Sequence, residues 1–225
     1  MHRTFDITIP QIQQILHDHF GPLHWWPAET PFEVATGAIL TQNTAWTNVE
    51  KAIHNLKQAK SLSPEKLAII TPDRLALLIK PSGFFRQKAA RLQNLANHLV
   101  NDWRSSLNDF CSGPLDEARD RLLSRPGIGP ETADSILLYA ANRPSFVVDA
   151  YTRRIFGRMG TLKGREKYDE VRCMFMQNLP NDAQLFNEYH AQIVQLAKVY
   201  CRKNKPLCFD CPLNRVCLHA KTEQV

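Results

Sequence analysis

Four cysteines near the end of the chain, Cys201, Cys208, Cys211 and Cys217, have to meet in space, and this limits the folds open to everything before them. Their spacing is C-x6-C-x2-C-x5-C. Crowded thiolates repel one another unless a cation neutralises them, and soft sulfur selects zinc or iron–sulfur chemistry. A single zinc ion is usually held by two short C-x2-4-C knuckles, and only Cys208 and Cys211 make one here. The wider outer spacings suit four separate iron corners, so the expected cofactor is a 4Fe-4S cluster, ahead of zinc. Disulfides are the alternative, but nothing else in the chain speaks for an oxidising compartment. Cys111 and Cys173 stand alone and are expected to be ordinary buried thiols.

The hydrophobic periodicity before the cysteines is helical almost throughout. Phe186, Tyr189, Ile193, Leu196, Ala197 and Tyr200 recur at three- and four-residue steps and mark one helix face. Ala133, Ile136, Leu137 and Ala140 do the same in a second helix. Thr71-Pro72-Asp73, Lys80-Pro81-Ser82-Gly83 and Ser112-Gly113-Pro114 punctuate further helical segments. No run of alternating β-branched residues and no internal repeat interrupts this pattern, so an all-α fold of many short helices is expected. No apolar run approaches the ~20 residues of a membrane span, and the first six residues contain no apolar leader core. A soluble cytoplasmic protein is therefore expected. A formal charge of +6 fits a polyanionic partner, though only where the charge clusters.

The second strong signal is the stretch from Leu122 to Ala133, which reads LLSRPGIGPETA. An apolar helix breaks at Pro126-Gly127, and Gly127 and Gly129 allow a tight turn. Pro130 suits the first turn of the next helix, whose free backbone N–H groups can hold a phosphate oxygen. A plain helical hairpin is the alternative, but two glycines bracketing one apolar residue make it the weaker one. About twenty residues later, Asp149 follows Phe146-Val147-Val148 and opens another helix. Aspartate there is a favoured N-cap, and a helix start can also carry a carboxylate into a cleft.

Hairpin, Gly/Pro-rich turn, aspartate and terminal four-cysteine loop, in this order, resemble the helix-hairpin-helix DNA glycosylases of the endonuclease III superfamily, from about Phe32 to Cys217. The resemblance implies two helical domains with a DNA-binding cleft between them. One is a multi-helix domain over 31–142; the other joins 1–30 to 143–225 and carries the cluster. It implies a monomer acting on double-stranded DNA that contains a damaged base, with Asp149 in the catalytic position. Members with lyase activity carry a lysine in the hairpin, where this chain has Glu131. A carboxylate cannot form a Schiff base, so a monofunctional enzyme that leaves an abasic site is expected. Lys163 or Lys198 could substitute, but nothing in the sequence places either there. Taken alone, Glu131 is a first-turn carboxylate favouring the helix N-terminus.

The segments Gly37–Thr44 and Pro81–Ala89 look closest to the 3-methyladenine DNA glycosylase branch. By that resemblance Trp26, Pro27 and Trp46, with Glu131, line the pocket for the flipped base, while Trp25 is expected in the core. A ring-methylated base is cationic, and electron-rich aromatic faces attract it. Gln42 or Asn43 and Phe84 match positions that wedge into the duplex when a base is flipped. Asn43 could instead cap a helix, and Phe84 could be core. Lys88 and Arg91 lie one turn apart and could meet phosphate, as could Gly127 and Gly129 through their backbone. Arg202, Lys203 and Lys205 fill the loop between the first two cluster cysteines, where the family contacts phosphate. Hypoxanthine, uracil, mismatched thymine and oxidised pyrimidine are the rival substrates. A non-catalytic DNA-damage binder is the rival class, and Asp149 argues against it.

Overall fold

Polar caps and prolines set most of the helix starts. Thr8, Thr30, Ser63, Ser106, Asp149 and Asp182 each accept a backbone N–H of the helix that follows, and each such cap contributes about 1 kcal/mol. Pro31, Pro64, Pro72 and Pro130 open helices at the first position, where the missing N–H is harmless. The computed structural model describes residues 7–222, so the first six residues, where the sequence lacks a leader core, lie outside them. Among the described residues there is no strand, and no helix is long and apolar enough to cross a membrane.

The helices are α1 (Ile9–Phe20), α2 (Pro31–Leu40), α3 (Trp46–Gln58), α4 (Pro64–Ile69), α5 (Pro72–Leu78), α6 (Phe85–Asp102), α7 (Leu107–Phe110), α8 (Leu115–Leu123), α9 (Pro130–Ser135), α10 (Ala150–Met159), α11 (Tyr168–Asn178), α12 (Ala183–Val199) and α13 (Leu218–Thr222). A 3₁₀ turn, Lys80–Ser82, precedes α6, and α9 runs on into a π-helical segment, Ile136–Ala140. The chain separates into two compact units: Trp26–Arg143, and the N-terminal residues up to Trp25 together with the chain from Pro144 onward.

In the Trp26–Arg143 unit, α2 is buried on every face and forms the centre, as a helix apolar all round must. Helices α4 and α5 pack on α6, and the π segment packs on α2. Arg119 on α8 donates to both carboxylate oxygens of Asp134 on α9, at 2.9 and 3.1 Å. Asp134 is fully buried. Removing one partner would strand the other's charge, so this pair fixes the angle of the hairpin.

In the other unit, α12 packs against α1 and α10 around an aromatic core. Phe146 stacks on Phe175 at 4.1 Å with Phe186 edge-on to it, a kind of contact worth about 0.5–1.5 kcal/mol beyond area burial. The isolated cysteines differ from each other. Cys111 is buried as expected, and burial pushes its thiol up to about 12. Cys173 is exposed, contrary to expectation, because α11 turns Val171, Arg172 and Phe175 inward and leaves position 173 on the opposite face.

Candidate active site

Asp149 caps α10. Its Oδ1 accepts the Thr152 backbone N–H at 2.7 Å and the Thr152 hydroxyl at 2.9 Å. Its Oδ2 lies 3.6 Å from Nε2 of His190 on α12, too far for a good hydrogen bond. Burial pushes this carboxyl up, but His190 and the two Thr152 donors together outweigh it and hold the group below its ordinary value. The side chain is therefore an anion in a largely desolvated place. The cap and a catalytic carboxylate are compatible here, because Oδ1 does the capping. His190 carried no signal in the sequence, being a lone histidine on a helix face.

In the hairpin, Gly127 has φ +78° and needs glycine: a side chain there would be strained and would run into Arg91. Gly129 does not share that need. Its φ is −90°, its backbone is extended, and a Cβ would meet nothing within 4 Å. Gln42, expected as a wedge, is engaged within the unit. Its amide nitrogen donates to the Gly127 carbonyl at 3.0 Å and to the Thr132 hydroxyl at 2.9 Å, while Arg91 donates to its oxygen. Asn43 and Phe84 are free of such bonds among those described, and both are exposed in left-handed backbone, with φ +54° and +44°. Phe84 is 65 % exposed, which excludes the core reading for it.

Lys88 requires a correction. Expected to reach phosphate, it is 1 % exposed, with Nζ donating to the Leu40 carbonyl at 2.9 Å and the Ser82 carbonyl at 2.7 Å. Burial, with Arg91's charge adding, pulls its ammonium down to about 8. It cannot reach solvent from that position.

A cavity of about 310 Å³ in the same unit is lined by Trp26, Pro27 and Trp46, with Glu33, Glu50 and Lys57 among the rest. Glu131 is not part of that lining and sits exposed on the first turn of α9. The two indoles meet edge to face with centroids 4.9 Å apart, so no slot for a base opens between them. A base could stack on a face of either one. Gly37 makes room for this arrangement, since a Cβ there would lie 3.1 Å from Trp26 Cζ2. Trp46 Nε1 donates to Glu50 at 2.9 Å, one turn along α3, and Glu33 pairs with Lys57 at 2.8 Å. Trp25, in the other unit, is half-buried with the Lys198 ammonium over its ring at 5.5 Å.

The four cysteine thiols of the C-terminal loop line one small cavity of about 20 Å³, together with Arg158, Tyr200 and His219. Burial pushes the Cys211 thiol up to about 11, and the other three cysteines add to the push. Four sulfur donors around one void are the chemistry of a thiolate-bound metal centre, and the donor set fits one. Among the described residues no group of three or more His, Cys, Asp and Glu is placed to hold a single metal ion. Arg158 was missed in the sequence: it donates to the Arg202 and Lys203 carbonyls and approaches Cys201 Sγ at 3.3 Å. Those bonds leave the side chains of Arg202, Lys203 and Lys205 exposed.

Residues 36–181 match the model of the HhH-GPD superfamily base excision DNA repair proteins, well over half of the chain. The chain is a member of that superfamily. Over 212 residues it is 48 % identical to a candidate DNA repair glycosylase of Methanocaldococcus jannaschii, spanning 93 % of this chain and 96 % of the relative. A 3-methyladenine DNA glycosylase of H. pylori, solved bound to 1,N6-ethenoadenine, is 32 % identical with a TM-score of 0.75, spanning 85 % of this chain and 98 % of the other. An endonuclease III solved as a trapped covalent intermediate with DNA is 24 % identical with a TM-score of 0.84, spanning 97 % and 100 %. That likeness shows the endonuclease III fold. This HhH-GPD protein is thus an all-helical DNA glycosylase of base excision repair.

Proposed function

We propose that this glycosylase is monofunctional and removes alkylated purines, 3-methyladenine foremost, from double-stranded DNA. The observation that carries the substrate reading is the cavity that brings Trp26, Pro27 and Trp46 together beside the carboxylates of Glu33 and Glu50. Its volume lies at the lower end of the usual ligand-pocket range of about 300–1,000 Å³. Aromatic faces favour a flat cationic base over a neutral one, and of the two lining carboxylates Glu50 is the one that Lys57 does not pair. Such a base is already a good leaving group and needs little acid catalysis.

Cleavage of the N-glycosidic bond builds positive charge on the deoxyribose, as O-glycoside cleavage does. In this reading the Asp149 carboxylate stabilises that charge and orients the attacking water. Glu131 stands where an amine nucleophile would be needed for a lyase step, so the strand stays intact after base release. Asn43 and Phe84 enter the duplex as the base leaves the stack. The exposed basic side chains Arg202, Lys203 and Lys205 meet phosphate, as do the backbone amides around Gly127 and Gly129. Cys201, Cys208, Cys211 and Cys217 would hold a 4Fe-4S cluster, which would fix this basic loop; base hydrolysis has no redox step. The protein would act as a monomer, in a reducing cytoplasm.

The test is direct. Protein purified without air is incubated with methylated duplex DNA and with duplexes holding hypoxanthine, uracil, a thymine mismatch or an oxidised pyrimidine, and the released bases are identified. Release of 3-methyladenine well above the others is expected. Preferential release of uracil or thymine would overturn the substrate reading, and DNA binding with no base released would leave only a damage binder.

A further inference from the structure

We propose that Lys88 is a positioning residue for base extrusion: a buried clamp that sets the spacing between the two exposed tips at Asn43 and Phe84. The proposal rests on the wedge reading of those two residues given above. Its basis is geometric. The Lys88 ammonium bonds the carbonyls of Leu40 and Ser82, at 2.9 and 2.7 Å. Leu40 is the last residue of α2, three positions before Asn43, and Ser82 ends the 3₁₀ turn two positions before Phe84. A single charged group therefore joins the stems of both tips.

The tips need such a device. Each is a non-glycine residue in left-handed backbone, exposed to solvent, and such conformations persist only where the surroundings over-determine them. The Leu40 carbonyl is an acceptor left over at the C-terminus of α2, with Thr41 capping the helix through Gly37. Ser82 is also held by its own hydroxyl, which donates to the Ile79 carbonyl at 2.8 Å. No apolar side chain could bridge the two carbonyls, and a buried ammonium with three donors can. A lysine kept out of solvent at a desolvation penalty has some local purpose, and these two stems are what it touches.

The experiment is a double-mutant cycle. Base extrusion is read as fluorescence of 2-aminopurine placed beside an abasic-site analogue in duplex DNA, normalised to folded protein by circular dichroism. The tip-less variant Asn43→Ala/Phe84→Ala, Lys88→Met and their combination are compared. The tip-less variant and Lys88→Met are each expected to lower extrusion about ten-fold, with the combination no worse than the tip-less variant, because Lys88 acts through the two tips. Affinity of Lys88→Met for undamaged duplex should stay within about two-fold of wild type, since Lys88 itself touches no DNA in this reading. Additive losses, or a folded Lys88→Met with full extrusion, would overturn the clamp. If Phe84→Ala and Asn43→Ala both leave extrusion unchanged, the wedge reading itself fails, a separate outcome. Should Lys88→Met not fold, Lys88→Asn, whose amide is too short to reach the two carbonyls, replaces it in the same cycle: non-additive loss supports the clamp, and additive loss or full extrusion overturns it.

Discussion

Replacing Asp149 by asparagine and by alanine separates a cap from a catalyst, because the two carboxylate oxygens have different partners. Oδ1 takes both Thr152 donors and Oδ2 faces His190. Asparagine keeps an oxygen at the first position and ranks with aspartate as an N-cap, so Asp149→Asn should leave α10 close to its native stability. Alanine removes the acceptor, leaves the Thr152 N–H without it, and should lower stability by about 1 kcal/mol. Catalysis divides the pair differently. Both variants lose the anion, and loss of one preorganised electrostatic stabiliser typically lowers the rate about 10²–10³-fold, roughly 2.7–4 kcal/mol of barrier.

The assay pairs thermal unfolding with single-turnover base release and with affinity for an abasic-site product, which neither change should greatly weaken. The acid side adds a sign. Asp149 sits below its ordinary value near 3.8 in the folded protein, so it contributes stability above that pH. That contribution is lost as the pH falls through the lower folded value. Asp149→Asn should remove that component of acid destabilisation. An asparagine variant releasing base within about three-fold of wild type would refute the charge argument and leave Asp149 a helix cap.

With Glu131 in the amine position, borohydride should trap no protein–DNA adduct, and damaged strands should break only after alkali; a strong trapped band would name another lysine as nucleophile. Protein purified anaerobically should be brown with about four irons per chain. Cys208→Ser should lose colour and thermal stability together, since a site absent from the unfolded chain lends its binding energy to folding, whereas a colourless protein with one zinc would overturn the cluster. Trp46→Ala should lower 3-methyladenine excision by one to two decades, from about 1–3 kcal/mol of stacking, and hypoxanthine excision by less; equal losses would remove the cation–π component.

What could be read from the chain depended on how local the cause was. Gly127 was legible because a positive φ is a property of one residue and its turn. Gly129 looked alike in sequence, yet its extended backbone makes no such demand. Helix caps such as Thr30 and Asp182 act over two or three residues and were equally within reach. Lys88 misled because a basic residue one turn from Arg91 on an amphipathic helix has the pattern of a solvated face. Its actual partners are a carbonyl 48 positions away and one in the preceding turn. That Trp26 and Trp46 border one cavity matches the resemblance, but their edge-to-face meeting was not legible, because it depends on Trp26 lying close against Gly37 of α2.

The same long-range bonding ties the loop after α2 to the hairpin. Gln42 reaches the Gly127 carbonyl and the Thr132 hydroxyl, and Arg91 of α6 holds the oxygen of that amide. The hairpin turn and the loop that carries Asn43 are thus one hydrogen-bonded assembly, not two independent pieces. Lys88, one turn before Arg91 on α6, joins the same loop to the stem of Phe84. Glycine at 127 serves this assembly twice: it supplies the left-handed turn, and it leaves the space that Arg91 occupies on its way to Gln42. A glycosylase that must hold phosphate while it opens a base stack gains from such coupling. If the hairpin amides hold phosphate and the two tips enter the duplex as proposed, this bonding would leave the tips little freedom to yield, and the strain would fall on the DNA.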